Sequence, residues 1–340
     1  LWTALPFSDK LGLQKERRPS AGPGGVPMQL DIGMVFSSLI GLFLLMGVGW
    51  VSVKTKIVPP AASAPMSSLL LKVTLPCTIF SSLATREFDS AFLVDGVIII
   101  VIGLVLFPLY AALSWGISKV LKVPAGRRGI WSFGATFCNN GFMGFPVALA
   151  LFGEEGLALA VMFGVPFNLL VYTLGVRMVC ADCGTDAQPV NLVRTLLSNI
   201  NIALILSLIF YVGQIPLPEA LMTPVTHLSN VTTPLSMFVT GMALASGKGA
   251  ELFRDKDAYT ATGMRLIVVP LLTWAVMCLL PLSNPLIASI VLITVAMPAP
   301  SVTTILAETY NGNRGLAAKI VFLTSLFCMI TLPLVAMFLL

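Results

Sequence analysis

Ten stretches of about twenty predominantly apolar residues follow one another along this chain, with short connectors between them. Each has roughly the length a helix needs to cross about 30 Å of hydrocarbon. They fall near residues 32–53, 64–83, 92–117, 130–152, 157–179, 192–212, 220–245, 258–280, 285–307 and 316–339. Hydrocarbon offers no hydrogen-bond partner, so a spanning backbone must satisfy its own N–H and C=O groups, and runs of this length do so as helices. The chain is therefore expected to be an all-α integral membrane protein with ten transmembrane helices, its first partner being the lipid bilayer. Charged residues make up only 10% of it, where soluble proteins carry about 25%.

That scarcity excludes several functions. With one histidine and fifteen acidic residues, the chain lacks the clustered His, Asp and Glu of metal hydrolases, di-iron sites and carboxylate-metal lipid enzymes. It is read as a non-enzyme with no metal and no cofactor. The formal charge of +5 is scattered over connectors and forms no stripe for nucleic acid. Cys77, Cys138, Cys180, Cys183, Cys278 and Cys328 lie mostly inside apolar runs and suggest no disulfide framework. Cys180 and Cys183 form a C-x-x-C pattern without the second pair or nearby histidine of a metal site.

The connectors of ten spans alternate between two sides, and their basic residues separate sharply. One side collects thirteen, namely Lys54, Lys56, Lys119, Lys122, Arg127, Arg128, Arg177, Arg194, Lys248, Arg254, Lys256, Arg314 and Lys319; the other has Arg86 in its connectors and the four basic residues of the N-terminal tail. By the positive-inside rule the first side is cytoplasmic and both termini lie outside a plasma (inner) membrane. Residues 1–27 read as an extramembrane tail without a signal-peptide pattern, and Met28 is a candidate start.

Val73-Thr74-Leu75-Pro76-Cys77-Thr78-Ile79-Phe80 in the second span matches Val231-Thr232-Thr233-Pro234-Leu235-Ser236-Met237-Phe238 in the seventh at four of eight positions. The fifth and tenth spans both open on Gly-Leu-Ala, at Gly156 and Gly315, in nearly the same register. A five-span repeat has an odd number of crossings, so its second copy enters from the opposite face. The expected architecture is two inverted halves, 28–180 and 192–340, joined by a short linker at 181–191, as in many secondary transporters.

Proline and amide placement predicts a broken helix in each half. Cys138-Asn139-Asn140-Gly141-Phe142-Met143-Gly144-Phe145-Pro146 interrupts the fourth span, and Met297-Pro298-Ala299-Pro300-Ser301 the ninth. A mid-span proline removes one N–H and frees a carbonyl, which is tolerated only where protein or a water-filled cavity compensates. A half-helix N-terminus offers unpaired N–H groups and about half a positive charge. One such break per half makes a polar centre suited to an anion.

Asn140-Gly141-Phe142-Met143-Gly144-Phe145-Pro146, followed by Leu151-Phe152-Gly153-Glu154-Glu155-Gly156-Leu157, resembles the signature of the auxin efflux carrier family. Pro298-Ala299-Pro300-Ser301 and Ile330-Thr331-Leu332-Pro333-Leu334 are similar to its C-terminal half, so the resemblance covers about residues 30–340. It implies fourth and ninth helices that cross at their breaks beside the substrate, and a core set of helices moving against a scaffold set. Members are similar to plant auxin carriers and to bacterial permeases for malate, malonate and related carboxylates. The short linker is like the compact bacterial type, which favours a small mono- or dicarboxylate over auxin.

These expectations place the substrate on Asn139, Asn140, Gly141, Gly144, Pro146, Pro298, Pro300, Ser301 and Lys72. Lys72 lies in mid-span, where a cation costs roughly 2.5–3.5 kcal/mol, and it draws the anion inward, holds a gate or serves as a structural counter-charge. Its repeat partner is Asn230. Gating or coupling candidates are Asn230, His227, Arg265 and Thr303. Arg265 either contacts substrate, snorkels outward or meets a helix terminus, while Lys319 reads as a snorkelling anchor. Asp95 reads as interfacial, and no acid sits clearly at mid-membrane. Coupling to H⁺ or Na⁺ is therefore open, as is the oligomeric state, a homodimer included. The rivals are a sodium-coupled organic-anion symporter of bile-acid type, a multi-spanning lipid-modifying enzyme, and a receptor or structural membrane protein.

Overall fold

The computed structural model describes residues 32–183, 198–245 and 253–338. The tail 1–27, most of the linker 181–191, and Arg194 and Lys248 lie outside them. Every regular element among the described residues is helical. In chain order they are α1 (Ile32–Lys54), α2 (Pro60–Ala84), α3 (Ser90–Val120), α4 (Arg128–Thr136), α5 (140–152), α6 (154–183), α7 (Asn199–Gly213), α8 (Glu219–Ala245), α9 (Lys256–Leu279), α10 (Pro285–Val295), α11 (Val302–Thr309) and α12 (Arg314–Phe338).

Among the described residues, six helical stretches are long and apolar enough to cross a membrane: Phe36–Lys54, Pro60–Ala84, Ser90–Val120, Arg128–Ala181, Lys256–Leu279 and Arg314–Phe338. Asn199–Gly213 and Pro285–Val295 are shorter apolar helices. The stretch Arg128–Ala181 is 54 residues long, far more than one crossing requires, and it doubles back. Gly153 makes the turn with φ 65°, a left-handed conformation that costs a Cβ-bearing residue dearly and glycine little. Beyond it α6 returns alongside α4, so that a Cβ on Gly175 would strike the rings of Phe133 and Phe137.

The helices pack in two groups. In the first, α1 runs along α8, and α2 packs on α7 and α8. The approach of α1 to α8 is close because glycine stands on both: a Cβ on Gly49 would fall on the Phe238 carbonyl, and one on Gly241 on the Met46 carbonyl. Small residues at such a crossing let backbones touch, the main source of helix association where lipid removes the hydrophobic drive. In α2 and α8, Thr78 Oγ1 donates to Thr232 Oγ1 (2.6 Å) and Ser81 Oγ to Ser229 Oγ (3.2 Å). The second group surrounds the broken helices: α3 packs on α4, α5 and α6, while α9 and α12 flank α10 and α11. Its interior holds a ring cluster of Phe107, Phe133, Phe137, Phe163 and Phe167.

Candidate functional site

Three of the chain's prolines reshape the helices around them. Pro76, Pro146 and Pro270 each lie two residues beyond a π-helical turn, at Leu70–Thr74, Asn140–Gly144 and Met264–Val268. Proline lacks an N–H and its ring crowds the carbonyl four residues before it. Widening the preceding turn resolves the clash: Leu75 N–H bonds the Leu70 carbonyl, Phe145 that of Asn140, and Val269 that of Met264. These three turns carry Lys72, Asn140 and Arg265. Single π turns recur at functional sites because they re-aim side chains.

Each predicted break is a short non-helical segment. After α4, Phe137 is extended (φ −95°, ψ 145°), its ring stacked on Phe107 at 5.7 Å and tilted against Phe133 at 4.8 Å. The helix restarts at Asn140, with Asn139 as cap, its Oδ1 accepting from Phe142 N–H at 3.3 Å. Between α10 and α11 the break carries Met297, Pro298, Ala299 and Pro300, all buried. The two breaks touch: Asn139 N–H donates to the Pro298 carbonyl at 2.7 Å. Ala299 N–H donates to Thr324 Oγ1 at 3.1 Å, and Thr303 Oγ1 donates to the Pro300 carbonyl at 2.6 Å. Thr303 thus repairs backbone at the break, and Thr304 does so likewise on Ser301.

Arg265 turns inward; it does not snorkel. It is fully buried, and its Nη1 donates to the carbonyls of Thr136 (2.7 Å) and Ala135 (3.4 Å), its Nε to Met297 (3.1 Å), and its Nη2 to Val295. The guanidinium therefore ties the C-terminal end of α4 to that of α10. Lys319 behaves differently from a free anchor, because Asp255 receives its ammonium at 2.9 Å.

Three polar atoms at this centre are buried without a hydrogen-bond partner among the described residues: Thr136 Oγ1, Asn140 Oδ1 and Thr294 Oγ1. Asn140 Oδ1 and the Thr294 methyl both lie beside Gly144, at 3.1 and 3.6 Å from where a Cβ would stand. Thr136 and Thr294 were not singled out from sequence, yet they are 158 positions apart, the spacing of Pro76 and Pro234. The repeat register was the signal for them.

Of the other expected residues, Pro146, Gly144, Pro298 and Pro300 are buried at the breaks, Gly141 is half-buried, and Ser301 is exposed. Gly141 faces Leu75, whose Cδ2 would lie 3.9 Å from an added Cβ. Lys72, one turn before Leu75, is exposed and has no ionic partner among the described residues. His227 and Asn230 are exposed on α8; it is Ser229, between them, that meets α2.

The two half-helices leaving the breaks differ in exposure. On α5, Phe145, Pro146, Val147 and Ala148 are all buried, whereas Ser301, which caps α11, and Ile305 and Glu308 within it are exposed. The α11 end is the end of the basic connectors, since Gly312 lies against Ile130 at the start of α4. There Asp255 caps α9 and accepts from Arg127 (2.6 Å) and Lys319 (2.9 Å), while Asp257 takes Arg127 Nε at 2.7 Å. Burial raises the Asp255 pKa, but the bonds and charges of Arg127 and Lys319 outweigh it and hold the carboxyl at about 2. At the opposite end Asn284 Nδ2 donates to Asp95 Oδ2 (2.7 Å) and Arg86 meets Glu155 (3.1 Å).

A profile described as membrane transport protein matches residues 34–189 and 185–336. An uncharacterised transporter of Methanothermobacter thermautotrophicus is 22% identical over 299 residues, 87% of this chain and 96% of its own length. Another from Methanocaldococcus jannaschii is 26% identical over 302 residues, with the same coverage.

Proposed function

The chain belongs to the membrane transport protein family, and from that premise we propose that it is a secondary transporter of a small organic anion, a mono- or dicarboxylate, bound where the two broken helices meet. The contact of Asn139 N–H with the Pro298 carbonyl carries this reading. It joins the two breaks that precede α5 and α11, and the dipoles of helices starting beside them favour negative charge. Asn140 Oδ1, buried and without a partner among the described residues, would accept from the hydroxyl of a hydroxy acid such as malate, and Lys72 would draw the anion inward. In this reading the helices form ten crossings in two inverted halves, with α4 and α5 as the fourth crossing and α10 and α11 as the ninth.

Alternating access would come from the group holding the breaks moving against α1, α2, α7 and α8. Under the positive-inside rule the basic end is cytoplasmic, so the exposed face of α11 would line a cytoplasmic opening while α5 closes the other side. Thermal-shift titration with malate and malonate tests the site, because a ligand stabilises the form it binds. The expected result is a saturable rise in the wild type that Asn140→Ala abolishes while remaining folded in the membrane. An undiminished shift in that variant would remove the crossing as the binding site.

A further inference from the structure

Discontinuous membrane helices ordinarily use the carbonyls of their half-helix C-termini to hold a coupling cation such as Na⁺. Here those carbonyls are engaged from within the chain. The acceptors of Arg265 are the main-chain oxygens of Ala135 and Thr136 at the end of α4, and of Val295 and Met297 at the end of α10. Two C-termini carry about half a negative charge each, which one guanidinium matches. We propose that Arg265 is a tethered substitute for a coupling cation, so that this transporter runs without Na⁺ and the guanidinium sets the geometry of the crossing as a positioning residue.

The other oxygens at the breaks do not restore a cation site. The hydroxyls of Thr303 and Thr304 are committed to the carbonyls of Pro300 and Ser301. Thr136 Oγ1 is unpartnered, but it belongs to the residue whose carbonyl lies 2.7 Å from Arg265 Nη1, and a free cation beside a buried guanidinium is repelled. A tethered cation cannot leave with the substrate, so its charge contributes nothing to the driving force. Na⁺ would return only if the side chain were removed, because four inward-facing carbonyls with no cation are costly to bury.

This inference rests on the crossing being the transport site, but its test reads the ion without the substrate. Thermal denaturation of the full chain in detergent is followed in choline chloride, then with added NaCl or guanidinium chloride at low millimolar concentration. The wild type should respond to NaCl no more than to choline chloride. Arg265→Ala should melt lower and regain stability saturably with guanidinium or Na⁺, while Arg265→Lys should keep most of its stability and remain indifferent to Na⁺. A saturable Na⁺ response of the wild type would overturn the proposal, whether or not the Ala variant folds. So would an Ala variant as stable as the wild type and blind to both ions. Loss of the carboxylate shift with this ion pattern intact would instead refute the substrate reading alone.

Discussion

Asp255→Asn isolates the ionic cluster that joins the ends of α4, α9 and α12. The substitution preserves shape and leaves an oxygen to accept from Asp257 N–H, the capping bond at 3.2 Å, but it removes the charge shared by Arg127 and Lys319. The native carboxyl titrates at about 2 against an ordinary 3.8. At 1.36 kcal/mol per pH unit, that difference corresponds to about 2 kcal/mol. A depressed carboxyl contributes its full stability above the unfolded pKa and loses it as pH falls through the folded one. The variant should therefore melt lower than the wild type by roughly 3 °C at neutral pH. That gap should stay constant down to about pH 5, then close between about pH 4 and pH 2. Differential scanning fluorimetry of both proteins across this range is the assay. Equal melting at neutral pH would show that desolvation cancels the pair, and a gap unchanged at about pH 2 would refute the assigned titration.

Lys72→Met should weaken carboxylate affinity in the thermal-shift titration while leaving the unliganded melting point in place; unaltered affinity returns Lys72 to a structural role. Thr136→Val and Thr294→Val remove buried hydroxyls with no partner among the described residues, so stability should hold or rise by up to about 1 kcal/mol. A loss of uptake in either variant would then mark a substrate contact, and unchanged uptake would exclude one. Gly241→Leu should cost about 3 kcal/mol or more through overpacking, because a Cβ there meets the Met46 carbonyl, whereas Gly47→Leu on the same α1–α8 pair has open space around it. Monodispersity by size-exclusion chromatography should fail for the first and survive for the second.

The apolar runs and the interruptions were legible in the sequence because each rests on a property of side chains or of proline. Ala64–Leu83 declares itself by length, and Asn139-Asn140-Gly141 and Pro298-Ala299-Pro300 are punctuation that a helix rarely carries. The destination of Arg265 was not legible, because its partners are main-chain carbonyls, which every residue has. The same holds for the contact joining the breaks, an N–H of Asn139 with a carbonyl of Pro298. Nor could spacing choose among His227, Ser229 and Asn230: three neighbours on α8 point in different directions, and the one that meets α2 is a serine that attracts no notice in the sequence.

Arg265 also bears on why such a centre would select anions. In the proposed crossing four half-helix ends would converge, two C-termini with about −0.5 charge each and two N-termini with about +0.5 each. Left alone they cancel, and the centre is neutral. A guanidinium committed to the C-terminal carbonyls would neutralise that pair and leave the N-terminal dipoles of α5 and α11 without a matching negative end. Selectivity for negative charge would then arise from a side chain that makes no contact with the anion. On this argument Arg265→Met should lower carboxylate affinity at least as strongly as Lys72→Met, although only Lys72 is exposed. Affinity that survived the loss of the buried guanidinium would show that the N-terminal ends never needed it.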